Sequence, residues 1–379
     1  MMQVFGRSSV SEFLGDKIVY RNLIPQDERL LPLREIGKKI GLSSGEIPRK
    51  SEKDYATVIV QMLKQAREID LPGGKIARLI FIGDTRLNDG TAFANICHSG
   101  NWPGLAFIGS ETSDPINIEI VQVASNQSLF LANRWNALVD FNRYCKDAGI
   151  PIDEETAVIF DLDKTALGAR GRNAHVIDQA RVQAVEDTVA TLLNDDFDKS
   201  TFQTHYSTFN KVEFHPFTTD NQDYVAYICL ILGCGLFDLE SIVEDVNNGS
   251  LRTFEQFITK VETRAEKLLP GLVSIHREIY ENVQAGDPTP FKAFRRNEYL
   301  RTISQMGQMD EGLQVNSYLE NEIVITQEVQ SLAQAWKKKG ALCFGLSDKP
   351  DEASIPTDAL KKQGYLPIHR TETHVVGMR

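Results

Sequence analysis

Cysteine is scarce and scattered in this chain. Cys97, Cys145, Cys229, Cys234 and Cys343 are odd in number, lie mostly inside apolar runs and show no zinc-finger spacing. That argues against a disulfide framework and predicts reduced core thiols in a cytosolic protein. Positive charge is also in deficit: 41 Lys and Arg stand against 52 Asp and Glu, a net charge of −11. Such a balance argues against a general binder of nucleic acid or of anionic membranes. It still allows a phosphorylated small molecule, which needs only a local positive pocket. Long apolar runs are missing. The longest, Ala226 to Phe237, is interrupted by glycines and too short to span a bilayer, so it reads as a buried helix of a second domain. The N-terminus lacks a basic-then-apolar export signal, and the expected location is cytoplasmic. No internal repeat or low-complexity tract occurs, and nothing in the pattern specifies an oligomeric state.

What is present is ordinary for a soluble globular protein: 42% hydrophobic and 25% charged residues. At about 150 residues per domain, 379 residues suffice for two compact units. Leu30–Ile40 has the spacing of a short amphipathic helix closed by Gly41, and Ser43–Lys50 reads as a loop ending in two cations. Ser51-Glu-Lys-Asp54 has the spacing of a capping box, followed by a helix over 52–68 with Tyr55, Val58, Ile59, Met62, Leu63 and Ala66 on one face. Ile76–Ile82 reads as a buried strand that runs into Gly83-Asp-Thr-Arg-Leu-Asn-Asp-Gly90 and a helix. Leu105–Ile108 and Ile116–Val123 are further strand candidates, and 127–147 reads as helix. Beyond Gly168 the character changes to helix-like segments and polar loops, until Gly340–Leu346 returns to a buried-strand pattern. A helix over Thr357–Gln363 and a last strand over His369–Val376 follow. The prediction is an α/β fold: a Rossmann-like parallel sheet core in two parts, 1–168 and 336–379, separated by a mainly helical insertion over 169–335.

The most informative stretch is Ala157-Val-Ile-Phe-Asp-Leu-Asp-Lys-Thr165. Its continuous apolar run reads as a buried parallel strand. If strand geometry persists past the end of that run, Asp161 and Asp163 face one side. Two carboxylates so close repel, and a divalent cation relieves the repulsion. The stretch resembles motif I of the haloacid dehalogenase-like (HAD) superfamily, an apolar run followed by Asp-x-Asp-x-Thr. Leu79-Ile-Phe-Ile-Gly-Asp84 through Asp89 resembles motif IV, and Phe344-Gly-Leu-Ser347 resembles motif II. Lys50, before the 52–68 helix, fits motif III by position, with Lys53 as the near alternative. The family order is I, II, III, IV; here it is III, IV, I, II. This is a cyclic shift, and it leaves the helical insertion between motifs I and II, where the family places a cap. An unpermuted arrangement would instead take Leu346-Ser-Asp-Lys-Pro-Asp-Glu352 as motif IV, with Asp348 and Asp351 or Glu352 as its acids.

The resemblance implies a set of roles. Asp161 is the nucleophile that forms an aspartyl-phosphate, and Asp163 is the general acid and base. Mg²⁺ is held by the Asp161 carboxylate, the Asp163 carbonyl and Asp84, with Asp89 nearby. Lys50, Ser347 and Thr165 make up the phosphate-binding set, Thr165 by bracing the motif I loop. Asp163 favours phosphate chemistry over dehalogenation, which has no alkoxide to protonate. The implied activity is a Mg²⁺-dependent phosphatase acting on a small phosphorylated metabolite. The alternatives are a phosphotransferase or phosphomutase on the same core, or a non-catalytic protein that binds a phospho-ligand. His98, His175, His205, His215 and His276 lack ligand spacing and read as surface or core histidines. Arg170 and Arg172 follow motif I on a glycine-rich linker, and Arg295, Arg296 and Arg301 lie in the insertion. An arginine fork suits anionic oxygens, but solvated charge is the simpler reading of each.

Overall fold

The computed structural model describes residues 1–42 and 47–378, so 43–46 of the loop before Lys50 lie outside the described residues. Among the described residues ten strands occur in order: β1 (Met2–Ser8), β2 (Ile18–Val19), β3 (Arg78–Gly83), β4 (Gly104–Gly109), β5 (Ile118–Ala124), β6 (Gln127–Ala132), β7 (Thr156–Asp161), β8 (Ile325–Thr326), β9 (Leu342–Leu346) and β10 (Thr373–Met378). Seven form one sheet in the order β2-β9-β7-β3-β4-β6-β5. Every neighbouring pair is parallel except β5 with β6. The chain is therefore an α/β protein with a mostly parallel sheet. Its central strands are apolar end to end because both faces are covered. The edge strand β5 is mostly exposed and carries Glu119 and Gln122.

Register explains how the two faces are filled. Leu79, Ala157 and Leu342 stand side by side, as do Phe81, Ile159 and Phe344. These residues share one apolar cluster with helices α1 (Lys53–Asp70) and α2 (Asn88–Gly100). On the other face Phe107 and Phe130 meet Phe141 of α3 (Leu138–Asp147), with ring centroids 5.6 and 5.5 Å away. Phe141 in turn meets Trp336 of α4 (Gln327–Lys337) at 6.4 Å. Because the strands are parallel, β3, β7 and β9 all end on the same edge. That edge carries Asp84, Asp161 and Ser347.

A second sheet has the order β1-β10-β8, with Met2 opposite Met378. Residues 180–301 form a separate compact unit without strands among them. Its core centres on helix Gln222–Gly233, where Val225 to Ile231 are buried, and Tyr224 stacks on Phe254 at 3.7 Å. Residues 302–335 belong with the sheet-bearing unit, since β8 pairs with β10 and α4 packs beside β9. Among the described residues no helix is long and apolar enough to cross a membrane. The five cysteines are unpaired, four of them buried.

Two sequence expectations need correction. Residues 127–147 are not one helix: Gln127–Ala132 is β6, bonded to β4 on one side and β5 on the other. A short apolar run is ambiguous by periodicity, and the two partner strands decide it. The capping box is absent. Helix α1 begins at Lys53 after Glu52, which makes no side-chain cap and instead accepts the Arg49 N–H at 3.0 Å. Residues 1–29 add β1, helix Val10–Leu14 and β2; β2 is two residues long and exists through its pairing with β9.

Phe141 is fully enclosed between the sheet and Trp336. Phe141→Ala is expected to lower stability by about 3–5 kcal/mol. Val139→Ala in the same helix, where Val139 is 65% exposed, should change it by less than about 0.5 kcal/mol. Urea unfolding followed by circular dichroism compares the two. Equal effects would contradict this packing.

Candidate functional site

Strand alternation aims Asp161, the last residue of β7, to the same face as Ile159, toward α1 and α2. Lys50 precedes α1, and Asp89 lies in the first turn of α2. The three meet there. Lys50 Nζ donates to Asp161 Oδ1 and to Asp89 Oδ1, each at 2.6 Å, and lies 5.5 Å from the Phe81 ring centroid. The Lys50 side chain is only 4% exposed. Lys53, at the start of α1, is exposed and takes no part.

The other oxygen of Asp89 organises the turn after β3. It accepts the N–H groups of Asp84 and Thr85, both at 2.9 Å, and the Thr85 hydroxyl at 3.1 Å. Gly83 makes this possible, because a Cβ there would sit 2.6 Å from Asp89 Cγ. The same turn presents Asp84, whose Oδ2 accepts from Arg170 Nε. Asp84, Asp89 and Asp161 each offer one oxygen, and these oxygens lie within 4.8 Å of one another. Among the described residues this is the one such group of three or more acidic, His or Cys side chains. Asp348, Asp351 and Glu352 are outside it; Asp351 accepts the Asn22 N–H, and Asp348, though solvent-exposed, lies near enough to Lys50 for the two charges to interact, after Asp161 and Asp89.

The chain turns immediately after Asp161. Ala166 N–H donates to the Asp161 carbonyl at 3.3 Å and Leu167 N–H to the Leu162 carbonyl at 2.9 Å, with Lys164 at φ 65°. Strand alternation therefore stops at Asp161, and the Asp163 carboxylate does not join the acidic cluster. Asp163 instead lines a small cavity of about 20 Å³ together with Ser347, Lys349 and Tyr20. Ser347 follows β9. Its N–H donates to the Val19 carbonyl and its Oγ accepts from the Lys349 N–H, both at 3.0 Å. Thr165 is fully buried. Its carbonyl accepts the Thr326 hydroxyl at 2.6 Å, and its own hydroxyl is enclosed without a hydrogen-bond partner.

Charge is unevenly compensated. Burial holds the Asp161 carboxyl well above the usual range; Lys50 pulls it down, and Asp89 and Asp84 push it up. Burial and then the nearby Asp89 raise Asp84 to about 7, against the pull of Arg170. Burial also disfavours the charged form of Asp89, but Lys50 outweighs it and Asp89 ends below the ordinary value. Burial would lower Lys50, yet Asp161 and Asp89 hold it well above its ordinary value. Three carboxylates thus share two cations, Lys50 and Arg170. A cluster that offers only carboxylate oxygens, and whose burial disfavours three bare negative charges, could hold a hard divalent cation in place of protons; nitrogen and sulfur donors of the zinc type are absent from it.

Arg170 and Arg172 are not the solvated charges that their linker suggests: Arg170 pairs with Asp84, and Arg172 with acids of its own. Arg172 is buried and paired with Glu111 at 2.6 Å and with both oxygens of Glu328 at 2.9 Å. Arg295, in the helical unit, is likewise buried, between Asp223 and Glu298. No local pattern could reveal these pairings, because Arg170 and Asp84 are 86 positions apart. Comparison with protein-family models, with curated proteins and with solved structures returned no match.

Two outcomes follow from this geometry. Gly83→Ala should displace Asp89 and cost about 1–3 kcal/mol, read as a fall in the urea midpoint; an unchanged midpoint would deny the tight contact. With a chelator present, the raised Asp84 makes the folded chain bind more protons than the unfolded one between about pH 4 and 7. Stability therefore falls as pH rises through that window, and Asp161 acts in the same direction. Asp89 acts oppositely, but only at lower pH. Thermal melts from pH 5 to 8 should decline less steeply for Asp84→Asn, and an unaltered slope would exclude Asp84 as the source.

Proposed function

We propose that this chain is a cytoplasmic, Mg²⁺-dependent phosphatase on a cyclically shifted HAD-like core, acting on a small phosphorylated metabolite. The observation that carries the reading is the meeting of Lys50, Asp84, Asp89 and Asp161, distant in the chain, at one end of adjacent parallel strands, with Ser347 at the end of the next strand. The sheet order supports the cyclic shift. Counting β7 first, then β9, β2, β3 and β4, the strands stand 3-2-1-4-5, the doubly wound order. In such sheets ligands bind outside the carboxyl ends, where the order reverses. Here that crevice lies between β7 and β3, which carry Asp161 and Asp84. The pairing of β1 with β10 supplies the spatial closeness that a cyclic reordering requires.

In this reading Asp161 attacks phosphorus. Lys50 holds its Oδ1, and its second oxygen accepts no hydrogen bond among the described residues. The bond from phosphorus to the leaving oxygen breaks as the Asp161–phosphorus bond forms, and Asp163 delivers its proton to the leaving oxygen. Water then attacks the aspartyl-phosphate, Asp163 takes a proton from it, and the Asp161 carboxylate is released with inorganic phosphate. Asp163 and Ser347 border the same cavity, which supports placing the proton donor beside the phosphate-binding hydroxyl. Lys50 and Ser347 stabilise charge on the equatorial oxygens. Asp84, Asp89 and Asp161 would hold the Mg²⁺, which when bound lets a carboxylate approach an anionic phosphoryl group. Thr165, being enclosed, braces the loop rather than touching phosphate. The helical unit 180–301 falls between the motif I and motif II segments and is read as the cap that selects substrate.

Hydrolysis of an aryl phosphate, with Mg²⁺ and with a chelator, tests this. Asp161→Asn should lower kcat on the order of 10³-fold or more, and Asp84→Asn should abolish the response to Mg²⁺. Asp348→Asn should stay within a few-fold of wild type. Loss confined to Asp348→Asn would move the site to the loop after β9 and overturn the cyclic shift. Transfer of phosphate to an added alcohol in preference to water would make the enzyme a phosphotransferase.

A further inference from the structure

The proposed site lacks an obvious donor for the outer face of a bound phosphoryl group. Lys50 is enclosed and already shared by two carboxylates. Ser347 is 2% exposed, and its oxygen accepts from the Lys349 N–H. A dianionic group arriving beside three carboxylates needs further positive charge, delivered from the solvent side.

Arg170 meets that need, and its backbone is built to do so. Its N–H donates to the Lys164 carbonyl at 2.8 Å. Its carbonyl accepts the Glu111 N–H at 2.9 Å and Trp135 Nε1–H at 3.1 Å. Gly171 follows at φ +76°, so close to Glu111 that a Cβ would lie 1.9 Å from the Glu111 carbonyl oxygen. Arg172 then anchors the segment to Glu111 and Glu328 in the interior. The backbone of Arg170 is therefore held on both sides while its side chain is 37% exposed. Its guanidinium makes one hydrogen bond among the described residues, through Nε to Asp84. Nη1 and Nη2 donate to none of them. A guanidinium has five N–H groups in a rigid fork, and tethering one edge fixes the direction of the rest.

We propose that Arg170 is a phosphoryl-binding residue, tethered to Asp84 by Nε and presenting its Nη donors to an anionic oxygen of the substrate. This assignment rests on the phosphatase reading. It makes Arg170 a link between the cation site and the phosphate site, because the carboxylate that would hold the cation also aims the guanidinium. Arg170→Lys keeps the charge but cannot span both partners, so it should behave as an intermediate.

The test compares wild type, Arg170→Gln and Arg170→Lys, each verified as folded by its thermal melt. With Mg²⁺ present, the measurements are KM and kcat for aryl phosphate hydrolysis, the inhibition constant of inorganic phosphate, and phosphate binding by calorimetry; the Mg²⁺ midpoint for thermal stabilisation is titrated separately. Arg170→Gln should weaken phosphate about ten- to hundredfold, as expected for losing a charge-assisted hydrogen bond. KM should rise more than kcat falls, Arg170→Lys should lie between, and the Mg²⁺ midpoint for thermal stabilisation should be no weaker than in wild type. Active variants with unchanged phosphate binding and a shifted Mg²⁺ midpoint would overturn the assignment and leave Arg170 as the counter-ion of Asp84 alone. Wild type that neither hydrolyses aryl phosphate nor binds inorganic phosphate would overturn the phosphatase reading itself.

Discussion

One ammonium group, Lys50 Nζ, stands between two buried carboxylates that would otherwise repel each other in a nearly dry site. Charges taken out of water are costly, and a buried pair persists only when geometry and further hydrogen bonds compensate. Here they do. Asp89 is saturated by three donors from the turn after β3, and Asp161 is fixed at the end of a fully buried strand. The same contact ties together three parts of the chain: the segment before α1, the first turn of α2, and β7. The arrangement of the acidic edge depends on it.

The parallel sheet makes such a meeting possible. Parallel strands send all their carboxyl ends to one edge, so loops distant in sequence become neighbours there. Small residues then set the fine geometry. Gly83 lets the Asp89 carboxylate rest against the backbone, and Gly171 lets the loop after β7 pack against Glu111. The loop is further locked by Arg172 and Glu328, and Glu328 also accepts the Met378 N–H of β10. A buried ion pair therefore joins the candidate site to the small sheet that pairs β1 with β10.

Much of this was legible in the sequence, for definite reasons. Buried parallel strands are continuous apolar runs, so β3, β7 and β9 could be read with the polar residues that end them. The carboxylates Asp84, Asp89 and Asp161 stood out because acids directly after such runs fall on the ligand-binding edge. What failed was local. Gln127–Ala132 was misread because a six-residue apolar run has no periodicity to separate strand from helix. Asp163 was paired with Asp161 on an extrapolated strand, but the chain turns at Leu162 to satisfy the backbone of Asp161 and Leu162.

The sequence by itself determined the class of fold, the ends of β3, β7 and β9 and the chemical character of the residues there, since these follow from hydrophobic pattern and residue type. Only the tertiary structure put Lys50 rather than Lys53 beside Asp89 and Asp161, gathered Asp84 and Asp89 with Asp161, left Asp163 and Asp348 outside that cluster, and turned Arg170 from a surface charge into a partner of Asp84. Each of these depends on contacts between segments tens to more than a hundred positions apart. The burial that shifts the carboxyl groups exists only once those segments have packed.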